Sequence, residues 1–414
     1  MISEQKNMIM KKNITFLSTP TLLLFCLSLF TTIKAQQITW GGLVDFEIRK
    51  GGQGARALLN QTPNPNWSFF MPNMRLFMTA DISEKWWFNA TLQSDYYGQE
   101  TMHSPFFSLL NINFQPFETN NFTIQAGRIT TPFGYNHRQI LSSDNPFANL
   151  SLESAWNLRV DKKLGYFPTG PIDYSSNSGM APVYQRRYTQ GMAVTGTLGK
   201  ANFVDYTIAI TTAPASGFLE YSQGSPSFIG RVVLQPVIWA KIGASFSHGS
   251  YMMRNEDMNK NLTDKELQSF KQTIYAFDAT FSYSYFELTG QWLYNNWGAP
   301  LQGITSTADI VPPHEKLDLE LTHWLIQSKV NLPFLVGAYV AVRYENMDFG
   351  DNPSKVMFPN GNPPPWIAET NRYEFVFGYK ITRSIIGKLS WQDGSNEGTD
   401  RDDYVFTAQL SVGF

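Results

Sequence analysis

From Tyr404 to Phe414 every second residue is apolar: Tyr404, Phe406, Ala408, Leu410, Val412 and Phe414 frame Thr407, Gln409 and Ser411. Successive side chains of a β-strand leave on opposite faces, so this segment has one apolar and one polar side. The same period recurs in Tyr373, Phe375, Phe377, Tyr379 and Ile381 against Arg372, Glu374 and Lys380. It recurs again in Tyr275, Phe277, Ala279, Phe281 and Tyr283 against Asp278, Thr280 and Ser282, and in Trp86, Phe88, Ala90 and Leu92 against Asn89, Thr91, Gln93 and Asp95. Strands of this kind bury their apolar faces either against each other, in a sandwich, or against lipid, in a barrel.

The connections decide between the two. About sixteen such segments are found, near 39–50, 73–82, 85–97, 106–117, 121–129, 188–198, 202–212, 227–235, 237–249, 272–283, 285–296, 316–331, 333–346, 370–381, 384–392 and 402–414. Short turns (Ser83-Glu84, Gly199-Lys200-Ala201, Tyr283-Ser284, Thr382-Arg383) alternate with long connections (51–72, 98–105, 130–187, 213–226, 250–271, 297–315, 347–369, 393–401). Segments of about ten residues with aromatic ends, with short turns on one rim and long loops on the other, predict an all-β transmembrane antiparallel barrel. Its short turns and both termini are periplasmic, and about sixteen strands enclose water. Residues 36–414 read as this one unit.

Composition agrees. Among 414 residues, 31 Phe, 19 Tyr and 11 Trp exclude a disordered chain, and a single Cys excludes a disulfide scaffold. Residues 1–35 place Lys6, Lys11 and Lys12 before an apolar run from Thr21 to Phe30 and end in Ile33-Lys34-Ala35, the pattern of a signal peptide cleaved after Ala35. Its removal, with Glu4 and four lysines, takes the formal net charge from −2 to −5. No later stretch approaches ~20 consecutive apolar residues. Balanced charge gives no footprint for nucleic acid.

The connection from Thr130 to Arg187 is 58 residues long, too long to be idle. It carries Arg138, Arg159, Lys162, Lys163, Arg186 and Arg187, the acids Asp144 and Glu153, and the anchors Phe133, Tyr135, Phe147, Trp156, Tyr166 and Phe167. Its approach, Ala126-Gly127-Arg128-Ile129-Thr130-Thr131-Pro132-Phe133-Gly134, resembles the strand-end segment of the phosphate-selective porin O and P family, with a looser likeness over Ser142-Ser143-Asp144 to Leu152-Glu153. The resemblance implies an outer-membrane porin whose third loop folds into the lumen and narrows it. Tyr135-Asn136 stands where an acidic residue is expected, and no ladder of arginines follows, so porin character carries over and phosphate selectivity does not.

On this reading Arg128, Arg138, Arg159, Lys162, Lys163, Asp144 and Glu153 are candidates for the constriction. Arg75, Arg231, Arg343, Arg372, Asp278 and Glu287 fall on the polar phase and are candidates for the pore lining. Both signs occur, so cross-strand ion pairs are as good an account of any one of them as selectivity. The function expected is passive diffusion of small hydrophilic solutes or ions, with weak anion preference. The alternative is a non-conducting barrel that acts as scaffold or receptor for surface proteins through 51–72, 250–271 and 347–369. An enzyme is not expected: only His248 and His323 of five histidines lie on strands, and Ser245 and Ser247 near His248 give no catalytic spacing. No cofactor or metal is called for, since the acidic stretch 393–403 lacks calcium-loop spacing. Thr263-Asp-Lys-Glu266 reads as a capping box opening a short helix, and Asn362-Pro-Pro-Pro-Trp366 as a stiff element over the mouth. The expected partners are outer-membrane lipid and lipopolysaccharide, the barrel assembly machinery through terminal Phe414, and further copies of the chain in a trimer.

Overall fold

The computed structural model describes residues 37–52, 66–95, 105–167, 179–184, 186–200, 203–217, 225–257, 259–301, 316–355, 357–358, 361–396 and 404–414. The expected signal peptide and most of the 393–403 stretch lie outside them. Sixteen strands form the wall: β1 (Gln37–Gly51), β2 (Ser68–Ser83), β3 (Trp86–Asp95), β4 (Phe106–Phe114), β5 (Thr123–Thr130), β8 (Tyr188–Leu198), β9 (Val204–Thr211), β10 (Ser227–Val237), β11 (Ala240–Ser250), β12 (Lys271–Tyr283), β13 (Phe286–Pro300), β14 (Lys316–Asn331), β15 (Ala338–Phe349), β16 (Thr370–Lys380), β17 (Ile385–Asn396) and β18 (Val405–Gly413). Each pairs antiparallel with its chain neighbour, and β18 returns to β1 to close the barrel. Two short strands, β6 (Val160–Asp161) and β7 (Gly165–Tyr166), make a separate hairpin inside the long connection, which alternation over ten residues could not reveal. A 3-10 turn (Tyr135–Arg138) and the helices α1 (Leu152–Ala155) and α2 (Asp264–Ser269) complete the described elements.

Terminal Phe414 takes part in the closure. It exchanges backbone hydrogen bonds with Gly42 at 2.8 and 3.1 Å, and its ring lies where a Cβ on residue 42 would stand, at 2.2 Å. Only glycine leaves room for that ring. The capping box is present, with Thr263 and Glu266 satisfying each other's backbone N–H at the start of α2. The turn before β15 is longer than its sequence suggests. Pro333 donates no N–H, so pairing resumes only at Ala338, after Gly337 turns the chain at φ 91°.

Phase separates the two faces of the wall. Ile208, Ile210, Phe277, Ile326, Phe375 and Leu410 are exposed outward, and ring pairs such as Tyr344–Tyr373 (4.7 Å) and Trp292–Trp324 (6.2 Å) stand on the same face. Outward apolar side chains with an aromatic border suit lipid. At the long-loop ends of β14 and β15 the alternation keeps its period but changes sign. Asp318, Glu320 and Asp348 point outward and are exposed, while Leu317, Leu319, Leu321, Met347 and Phe349 point inward and are buried. Beyond the bilayer the outside is water, so the apolar face must turn in. There it meets Trp297 of β13, Leu152, Trp156, Leu158 and Val160 of the long connection, Leu262, Leu267 and Phe270 around α2, and Trp366, all in one apolar core. Trp366 packs edge-on to Phe349 (5.2 Å) and Tyr166 (6.2 Å), which fastens the proline-rich element inward.

Candidate functional site

The long connection after β5 touches inward-facing residues of many strands, among them β1, β11, β13, β15, β16 and β17. Gly134 N–H donates to Ser245 Oγ of β11 (3.1 Å), Tyr135 N–H to Gln291 Oε1 of β13 (2.8 Å), and Ser142 Oγ to Asp45 of β1 (2.5 Å). Lys388 of β17 donates to the Ser142 carbonyl (2.7 Å), Leu152 N–H to Glu345 of β15 (2.8 Å), and Asn149 N–H to Glu374 of β16 (3.2 Å). Buried backbone polar groups must find partners, and here wall side chains supply them. Burial, with the nearby Glu287 charge, pushes the Tyr135 phenol up to about 12, so it stays a neutral hydroxyl.

The strongest of these attachments is a buried charge cluster. Arg343 reaches Glu345 (3.1 Å) and Glu374 (2.5 Å), and Arg372 reaches Glu345 (2.5 Å). Arg343 also donates to the Asn149 carbonyl (3.0 Å), and both arginines donate to that of Leu150. From the connection, Glu153 pairs with Arg187 (2.8 Å), while His323 of β14 stands between Glu153 (3.9 Å) and Glu345 (3.5 Å). Removing one member of a buried set strands the charge it neutralised, at a cost of about 3–5 kcal/mol. A second pair, Arg231 with Asp278, is bidentate (2.6 and 2.8 Å) and spans from β10 to β12 across Gly243, where any Cβ would lie 2.6 Å from both side chains.

On the opposite side of the lumen the described residues leave space. Between β2–β5, β8 and β9 and the stretch from Pro132 to Asp144 lies a cavity of about 480 Å³. Its wall shows Asn89, Thr91, Gln93, Ser108, Asn111, Gln125 and Thr207 with Phe77 and Leu109. The connection contributes His137, Ile140, Leu141 and Asp144, and Arg75, Arg186 and Arg187 also reach it. Arg186 is paired with Asp95 at 3.0 Å.

The candidates read from the sequence are therefore dispersed. Arg75 and Asp144 line the cavity. Glu153, Arg343 and Arg372 come together, but in the buried cluster under the connection instead of against water. Arg231 and Asp278 are consumed by their own pair, and Glu287 lies 3.5 Å from the Tyr135 hydroxyl. Lys162 and Lys163 form the β6–β7 turn, their carbonyls accepting from Met253 N–H and Asn259 Nδ2, and Arg159 precedes that hairpin beside Tyr166. The side chain of Arg138 is outside the described residues. Arg128 requires a correction: it pairs with Leu110 and so shares the outward face, donating to the Phe107 carbonyl and lying over the Tyr188 ring (5.1 Å). Its period-two phase is opposite to that of Gln125, which faces the cavity. Arg186, Arg187, His323 and Lys388 matter more than their residue types announced. Nothing local in the sequence announced them; Arg187 adopts φ 51°, held by its N–H bond to the Tyr184 carbonyl (2.9 Å) and by its pairing with Glu153.

No family model matches this sequence, and no curated protein does either. Solved structures do match in fold. OmpF of Salmonella typhi, in complex with daunomycin, superposes with a TM-score of 0.57 at 10% identity, covering 91% of this chain and 97% of that one. An anion-selective porin from Comamonas acidovorans gives 0.52 at 9%, covering 91% and 99%. OmpT of Vibrio cholerae, in a trimer form, gives 0.52 at 6%, covering 91% and 99%.

Proposed function

We propose that the chain is an outer-membrane porin that passes small hydrophilic solutes by diffusion, with residues 130–187 as its constriction. The observation that carries this reading is the polar cavity of about 480 Å³ left between Pro132–Asp144 and the β2–β9 wall. A closed barrel with an apolar outer band is built for an outer membrane, and a segment anchored to strands on several sides holds a fixed aperture. Strong ion preference is not part of the proposal. Of Arg138 and Arg159, on which weak anion preference rested, Arg159 lies just before the β6–β7 hairpin beside Tyr166 and the side chain of Arg138 is outside the described residues, so at most a weak bias follows. The resemblance to the phosphate-selective porin O and P family supports the barrel plan and the placing of the third loop.

Catalysis is disfavoured by phase. Ser245 and Ser247 point inward while His248 points outward, stacked on Phe246 and hydrogen-bonded to Thr273 (2.8 Å), so the wall separates His248 from the serines beside it in the chain. Trimeric assembly is proposed from the trimer form of OmpT, recognition by the assembly machinery from Phe414 at the barrel seam, and contact with outer-membrane lipid and lipopolysaccharide acyl chains from the outward apolar band. Planar-bilayer recording of purified, heat-modifiable protein tests the function. Discrete conductance steps are expected; folded protein without conductance would sink the porin reading in favour of a scaffold or receptor.

A further inference from the structure

We infer that the cavity selects neutral, hydroxyl-bearing solutes such as sugars and sugar alcohols, and discriminates against ions of the same size; this rests on the porin reading above. Three cations reach the cavity, Arg75, Arg186 and Arg187, and three carboxylates answer them: Asp144 on its lining, Asp95 at 3.0 Å from Arg186, and Glu153 at 2.8 Å from Arg187. These six charges balance, so an ion leaving its hydration shell finds no net field from them to replace it; the side chain of Arg138 is outside the described residues and outside this count.

The groups left to interact are amides and hydroxyls. Asn89 and Asn111 are joined side by side, Asn89 Nδ2 to Asn111 Oδ1 at 3.5 Å, with Thr79 donating to Asn89 at 3.0 Å and Asn113 to Asn111 at 2.7 Å. Gln125 on the same wall makes no side-chain hydrogen bond among the described residues. An amide offers a donor and an acceptor together, as does a hydroxyl, so a polyol can exchange its water for both. The Gln125 amide keeps both its N–H groups and its oxygen for a solute: an anion can only accept and leaves that oxygen unpaired, and a cation of the ammonium type can only donate and leaves the N–H groups unpaired. Opposite the amides stand Pro132, Ile140 and Leu141, with Phe77 on the wall, which suit the C–H face of a sugar ring. The volume lies within the range of small-molecule sites, about 300–1,000 Å³.

Proteoliposome swelling and bilayer recording on the same preparation test this. Glucose should permeate about tenfold faster than gluconate, which has the same carbon skeleton with one charge, and the reversal potential in a KCl gradient should lie near zero. Gln125→Leu, at a residue with no partner to lose, should slow glucose about threefold to tenfold, the effect of one hydrogen bond, while KCl conductance changes less than about twofold. Gluconate or inorganic phosphate permeating as fast as glucose, or glucose flux unaffected by Gln125→Leu in heat-modifiable protein, would overturn the selectivity. Protein closed to KCl and glucose alike would overturn the porin reading itself, and the selectivity with it.

Discussion

The wall from β2 to β9 and the wall from β10 to β17 carry the same period-two ladder, yet their inward faces have opposite fates. On the first side Asn89, Asn111 and Gln125 face a cavity. On the second, Glu345, Arg372 and Lys388 are buried against the long connection, and above them Leu319, Trp297 and Met347 close an apolar core. An inward polar residue is thus not necessarily a pore residue. What differs is whether another part of the chain covers it, and the second side covers its charges with backbone carbonyls and N–H groups from 142–153.

Breaking the covered side should produce the largest effect. Glu345→Ala leaves Arg372 and Arg343 without a shared carboxylate and Leu152 N–H without an acceptor, so folded stability should fall by about 3–5 kcal/mol. The loss is read from the temperature at which the compact band disappears on a gel, and single-channel conductance should rise as the connection loosens. A stable variant with unchanged conductance would mean that the cluster does not hold the aperture.

The same substitution placed on both sides sharpens the contrast. Gln327 is 4% exposed on the covered side, whereas Gln125 is half-buried at the cavity. Gln327→Arg should cost at least about 1–3 kcal/mol through overpacking, and Gln125→Arg about 0.5 kcal/mol or less. Equal yields of folded barrel from the two variants would erase the distinction. The smallest effect is reserved for charge alone: Asp144→Asn should leave stability unchanged and move the reversal potential slightly toward anions, more at 0.1 M salt than at 1 M, where the screening length is about 3 Å. A shift of equal size at both concentrations would place Asp144 away from the permeating ion.

Strand count, order and facing were legible in the sequence because the pleat imposes period two on every residue and each strand pairs with its neighbour in the chain. Phe375, Leu410 and Phe277 face lipid as their phase required, and Thr263 to Glu266 declared its helix through a contact three residues long. Arg128 was also legible, since its phase matches Ala126, although a loop-end arginine invited a pore role. Two things were decided elsewhere. Above the bilayer, the outside changes from lipid to water, and the alternation at Leu317–Leu321 inverts without any change in pattern. The docking of 142–153 joins residues such as Asn149 and Glu374, 225 positions apart. Period reports only the face a side chain leaves by; what waits on that face is set by the shape of the closed barrel and by the segment folded into it.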